Sequence, residues 1–251
     1  MSTSSFKIAH KLLTGAGAIE QLAAELTRLD VDNPLIVTDA ALVQSGTVAL
    51  ALEHLGDRAY EIFDRVLPDP EIAIVEDCMR AYREGGHDGL IGVGGGSAID
   101  IAKSVAAYAG YHGALADLFG VDQVPRKGPP LIAIPTTAGT GSEVTNVAIL
   151  SDKAAQLKKG IVSDYLLPDV ALISPQMTLT CPRGVTAASG VDALVHAIES
   201  YLSLNASPIT DALAIGAIKL IASALPKAYA NPANLQARDD MATASLMAGM
   251  A

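Results

Sequence analysis

The sequence contains no tryptophan and few aromatic residues of any kind, 4% in all. Platforms that stack single-stranded bases are built from aromatic side chains, so that function class is disfavoured from the outset. Charge is sparse and unbalanced: 17 Lys and Arg against 27 Asp and Glu give a net charge of −10. Without a basic run to neutralise phosphates, neither nucleic acid nor an anionic membrane is expected as a partner. The two cysteines, Cys78 and Cys181, form no CxxC pair, and free thiols in a chain of this size suit a reducing compartment. The start, "MSTSSFKIAH", lacks the apolar centre of a signal peptide. No uninterrupted apolar run approaches the roughly 20 residues of a membrane span. A soluble, cytoplasmic protein is expected, and 251 residues, half of them hydrophobic, are ample for one large or two moderate cores.

What is present falls into two regimes. Up to about residue 174, short apolar runs alternate with helical periodicity. "NPLIVTD", "DGLIGVG", "PPLIAIP" and "DVALIS" read as buried strands, while "GAIEQLAAELTRL", "AIVEDCMRAYREGG" and "SAIDIAKSVAAYA" read as helices. "AILSD" and "LKKGIVS" have the form of a hairpin. Such alternation predicts a parallel sheet covered on both faces. After Pro175 the strands stop, and three helical stretches follow. A boundary is therefore expected near 174–182, with an α/β domain over 1–178 and an all-α domain over 179–251. The last stretch, "MATASLMAGMA", has no charge after Asp240 and no polar cap, and so reads as a helix interrupted before its natural end.

Two loops have the composition of anion sites. "GVGGGSAID" (92–100) closes a strand and opens a helix, and places four glycines in five residues. Glycines let backbone N–H groups approach a phosphate, and a helix N-terminus adds partial positive charge. Ser97 and Asp100 are spaced as a capping box. "IPTTAGTGSE" (134–143) is rich in hydroxyls and ends the next strand; it reads either as a solvated Ser/Thr loop or, beside the glycine loop, as part of one binding edge. Asp39 ends the "LIVTD" strand. It can cap a helix or accept hydrogen bonds from a ribose, and it would repel a 2′-phosphate. In the usual dinucleotide fingerprint the acid follows the glycines by about 20 residues, whereas here it precedes them.

Asp192 and His196 lie four apart in the helical stretch "SGVDALVHAIESYLS" and share one helical face. They read either as a surface pair or as half of a divalent-metal site, which needs at least three protein ligands. The other four histidines, His10, His54, His87 and His112, form no cluster in the sequence, and His54 falls in an apparent helix, "VALALEHLGD".

Taken together, "GGGSAIDIAK", "PTTAGTGSEVT", "LLPDVALISPQMT" and "GVDALVHAIESYLS" resemble the iron-containing (group III) alcohol dehydrogenases, in that family's order and spacing. The resemblance implies an N-terminal Rossmann-like NAD-binding domain followed by a helical metal-binding domain. Residue by residue, it places Gly95, Gly96, Ser97 and Asp100 at the pyrophosphate and Asp39 at the adenosine ribose. Thr136, Thr137, Thr140, Thr145 and Lys158 come further along the cofactor. Asp192 and His196 match two of four ligands to Fe(II), or Zn(II) in some relatives; the other two would lie beyond residue 251. Asp69 stands where relatives often have Asn.

The implied reaction is reversible hydride transfer between NAD(H) and a primary alcohol or its aldehyde, in a homo-oligomer, with the metal as Lewis acid. No residue stands out as an obligatory general base. With two of four ligands, these 251 residues alone are expected to be inactive as a dehydrogenase. Alternatives are a glycerol dehydrogenase-like or maleylacetate reductase-like relative, or a short paralogue that binds nucleotide or assembles with full-length subunits without catalysis.

Overall fold

The computed structural model describes residues 6–153 and 155–251. Six parallel strands form the main sheet: β1 (Leu12–Thr14), β2 (Pro34–Val37), β3 (Glu61–Phe63), β4 (Gly89–Gly94), β6 (Leu131–Pro135) and β9 (Val170–Ile173), in the order β1-β9-β6-β4-β2-β3. The central strands are apolar on both faces, and each residue of β2, β4, β6 and β9 is buried. That pattern requires cover on both sides. One face is covered by α1 (Leu22–Arg28) and α3 (Thr47–Leu52), through Leu22, Leu26, Val48 and Ala51 packed on Ile36, Ile91 and Ile132. On the other, α4 (Ile72–Glu84) and α5 (Gly96–Ala109) bury Val75, Met79, Ile101 and Val105 against Leu35, Leu90 and Leu131. Each Ile or Leu so buried contributes roughly 1.5–3 kcal/mol. A short helix, α2 (Ala40–Gln44), follows β2.

A second sheet holds β5 (Gly120–Val121), β7 (Val147–Asp152) and β8 (Leu157–Val162), with β7 and β8 antiparallel, as the sequence led one to expect. Three helices complete the chain: α6 (Arg183–Leu202), α7 (Pro208–Ala230) and α8 (Leu235–Met250). Alanines dominate their core, among them Ala193, Ala197, Ala217, Ala224, Ala244 and Ala248. By length and composition α7 could cross a membrane, with a mean hydropathy of 1.5. Its face of Ala217, Ile221, Ala224 and Ala228 instead lies in the helical core.

Two local expectations fail. Helix α5 starts at Gly96 with Gly95 as its cap residue, so Ser97 lies inside the first turn, and no side chain caps it. The Ser97–Asp100 capping box does not form, because Asp100 is drawn into other hydrogen bonds. His54 lies in the turn beyond α3 rather than within a helix.

The strand order answers the reversed fingerprint. Strand β2 pairs with β3 on one side and with β4 on the other, so the connections part between β2 and β4. Val37 is in register with Gly92. Asp39 and Gly94 therefore leave the same edge of the sheet side by side, although the acid comes first in the chain. A crevice opens at the carboxyl ends of strands where the connections diverge in this way.

Candidate functional site: a two-part cleft at the strand ends

Two hollows meet at the glycine turn. The first, about 720 Å³, lies over the β2–β4 divergence and is bordered by Asp39, Gly95, Thr136 and Thr137, with Leu42, Leu67, Pro182 and Val185 as apolar walls. The second, about 540 Å³, lies between α5, the β7–β8 hairpin and α6. Asp100, Thr140, Thr145, Lys158, Asp192 and His196 border it. Gly96 and Ser97 border both. All the residues singled out in the sequence thus line one elongated groove with a glycine ridge at its middle.

The ridge is tight for a physical reason. A Cβ on Gly96 would lie 2.8 Å from the Thr140 methyl carbon, and one on Gly95 would lie 3.3 Å from the Thr137 hydroxyl. The hydroxyl-rich loop is held against the glycine turn, where the Thr136 N–H donates to the Gly94 carbonyl at 2.9 Å. Any side chain on the ridge would fill the space between the two loops. Asp39 meets its cap reading, since its Oδ1 accepts the Leu42 N–H at 2.9 Å and caps α2; the residue also borders the first hollow.

Under the second hollow lies a polar cluster that sequence reasoning missed. Lys103, one turn after Asp100 on α5, is fully buried. Its ammonium donates to the Thr145 carbonyl (2.7 Å), the Thr145 hydroxyl (3.1 Å) and the Val147 carbonyl (3.0 Å). Asp100 accepts from the Ser142 hydroxyl and from the Ile149 N–H, the latter at 3.0 Å. One turn of α5 thereby grips residues 142–149 at both ends. Burial pushes Asp100 above the ordinary carboxyl range, opposed by Lys103 and by its two hydrogen bonds. Burial likewise lowers Lys103 to about 8, opposed by Asp100 and Glu143. Glu143 is also buried, and desolvation raises its carboxyl to about 7, opposed by its own backbone N–H and by Lys103. The i, i+3 spacing of Asp100 and Lys103 was visible, but an amphipathic helix normally turns such residues to water.

The helical part is keyed to the same loop. A Cβ on Gly139 would lie 2.8 Å from Ser189 Cβ on α6. Gly141, at φ +62°, packs so close to α8 that a Cβ would lie 2.5 Å from Gly249 Cα. These contacts set α6 across the groove from α5. There His196 Nε2 stands 3.6 Å from Asp192 Oδ1, beyond hydrogen-bond range, with both side chains partly exposed. A carboxylate oxygen and an imidazole nitrogen suit a first-row divalent ion. Among the described residues no group of three His, Cys, Asp or Glu is placed to hold a metal. The donor types fit; their number does not complete a site.

The family model described as "Iron-containing alcohol dehydrogenase" matches residues 9–175, and the C-terminal model of the same family matches 186–251. The chain belongs to the iron-containing alcohol dehydrogenase family. Long-chain-alcohol dehydrogenase 1 of Geobacillus thermodenitrificans is 46% identical over 242 residues, covering 94% of this chain and 61% of that protein. A 1,3-propanediol oxidoreductase structure superposes with a TM-score of 0.96 at 38% identity, covering 99% of this chain and 66% of the other. Sulfoacetaldehyde reductase of Bifidobacterium kashiwanohense, solved with NAD+, gives 0.94 at 33% identity, covering 100% and 67%. The chain therefore spans about three fifths to two thirds of the length of these relatives. In this iron-containing alcohol dehydrogenase fold, the glycine turn, the hydroxyl loop and the Asp192–His196 pair converge on one groove.

Proposed function

We propose that the groove holds NAD(H) and that the protein of which these residues form the nucleotide-binding part transfers hydride between that cofactor and a primary alcohol or aldehyde. The observation that carries the reading is the groove itself, two hollows joined at a glycine ridge where a Cβ would crowd Thr137 and Thr140. Its length and its central N–H donors suit a dinucleotide bent over its pyrophosphate. The adenosine half would take the first hollow, with Asp39 accepting from the ribose. Gly95, Gly96, Ser97 and the N-terminus of α5 would receive the pyrophosphate, and Asp100 and Lys103 would hold the loop carrying Thr140 and Thr145 against it.

Bound nicotinamide supplies the hydride acceptor. The chain's own part would be to hold the nicotinamide half in the second hollow, which Thr145, Lys158, Asp192 and His196 border. Asp192 and His196 are two donors of an ion, Fe(II) or the related Zn(II), whose remaining ligands are not among the described residues. Small alcohols or aldehydes and further copies of the chain are the partners in this reading. Self-association is supported by the exposed stripe Val191, Val195, Ile198 and Leu202 on α6. The unpaired cysteines suit a cytoplasmic setting. The shortfall in donors favours a second reading, a nucleotide-binding chain without catalysis of its own.

Fluorescence titration with NADH tests the groove. The 251-residue chain should bind, and Gly96→Val, checked for native circular dichroism, should weaken binding about five- to 150-fold, the cost of overfilling a packed site by 1–3 kcal/mol. Equal binding by folded wild type and variant would refute the assignment. Ethanol oxidation by the same chain with added Fe(II) or Zn(II) should be absent. Metal-dependent turnover would overturn the argument from donor number.

A further inference from the structure

The segment between β3 and α4 crosses the mouth of the second hollow and is docked on the β7–β8 hairpin. The Ser151 N–H donates to the Pro70 carbonyl at 2.8 Å, and Glu71 pairs with Lys153 at 2.5 Å. Just before these anchors Asp69 takes φ +54°, the left-handed region that Asp and Asn tolerate best among residues with a side chain. This turn aims the carboxylate across the opening, where Oδ1 lies 2.7 Å from the ammonium of Lys158 on β8. Both residues border the hollow together with Gly96 and Ser97, and among the described residues Lys158 is the one Lys or Arg in that border.

The lysine that borders the hollow proposed for the nicotinamide half is therefore already paired. We infer that Asp69 sets the affinity for the dinucleotide: its carboxylate competes with the cofactor for Lys158, so that binding must open the Asp69–Lys158 pair and release restores it. This rests on the assignment of the groove to NAD(H). Both partners are well exposed, 72% for Asp69 and 63% for Lys158. An exposed pair is weak enough to exchange partners, unlike the buried grip of Lys103 on the loop. The neighbouring Glu71–Lys153 pair lies outside the hollow's border and has no such competitor.

The test is NADH titration of wild type, Asp69→Asn and Glu71→Gln under identical salt. Asn keeps the left-handed turn and the size of the side chain, and removes only the charge. Asp69→Asn should tighten NADH binding about two- to fivefold, the range spanned by an exposed ion pair. Glu71→Gln removes a negative charge from the same segment and should leave the dissociation constant unchanged. Lys158→Met should loosen binding. Unchanged or weaker binding by folded Asp69→Asn overturns the inference, as does equal tightening by Glu71→Gln, which would reduce the effect to net charge. Failure of wild type to bind NADH refutes the cofactor assignment and this inference with it, an outcome distinct from equal binding by all.

Discussion

Replacing Lys103 with Met is the sharpest perturbation that the buried cluster offers. Methionine has similar length and no charge, so the volume is nearly kept while the donors vanish. Two backbone carbonyls, those of Thr145 and Val147, lose their ammonium partner, and Asp100 and Glu143 lose a cation that opposes the effect of their burial. Hydrogen bonds to a charged group are worth about 1.5–3 kcal/mol each, and breaking a buried charge pair costs about 3–5 kcal/mol. These effects overlap in one cluster and do not add, so about 3–5 kcal/mol is the expected loss. In a chain of this size 1 kcal/mol moves the melting temperature by about 2–4 °C, which predicts a fall of roughly 6–20 °C. Thermal melts followed by circular dichroism at pH 7 measure it. A variant melting within about 2 °C of wild type would refute the claim that Lys103 holds residues 142–149 to α5.

Two further outcomes follow from the same region. Glu143 has a folded pKa of about 7 against the ordinary 4.5, so the folded state binds the extra proton between those values. Its contribution to stability is present below pH 4.5 and is lost as pH rises through 7. Relative to Glu143→Gln, wild type should lose up to roughly 3 kcal/mol between pH 4.5 and 7, at 1.36 kcal/mol per pK unit; parallel stability curves for the two would contradict the assignment. Gly141→Ala places a Cβ at positive φ and 2.5 Å from Gly249 Cα. It should cost about 2–4 kcal/mol in denaturant melts, from strain and overpacking, and a loss under 1 kcal/mol would show that α8 yields at this contact.

Most of the α/β framework was legible because its signals are local. Apolar runs such as "LIGVG" and "LIAIP" end in glycine or hydroxyl loops, and that order alone marks strand and binding edge. The hairpin and the three late helices were equally plain. The adjacency of Asp39 to Gly94 was not, because it depends on which strands pair, and strands of similar composition do not encode their neighbours. The Lys103–Asp100–Glu143 cluster was hidden for the opposite reason: charged residues on a helix conventionally face water, and only the approach of residues 142–149 turns this face inward. The capping-box reading failed on the same point, since a local spacing rule for Asp100 gave way to a tertiary partner, Ser142.

The pairing of β2 with β4 also bears on the order of events during synthesis. Asp39 emerges early, but it has no glycine turn beside it until β4 is made and inserted on the far side of β2 from β3. The loop that backs that turn, and the Ile149 N–H that donates to Asp100, come later still. At about 5–20 residues per second, the elements of the groove are separated by something on the order of ten seconds. Over that interval the groove is incomplete, so any stabilisation the proposed cofactor brings can act only once β2, β4 and the segment after β6 are in place.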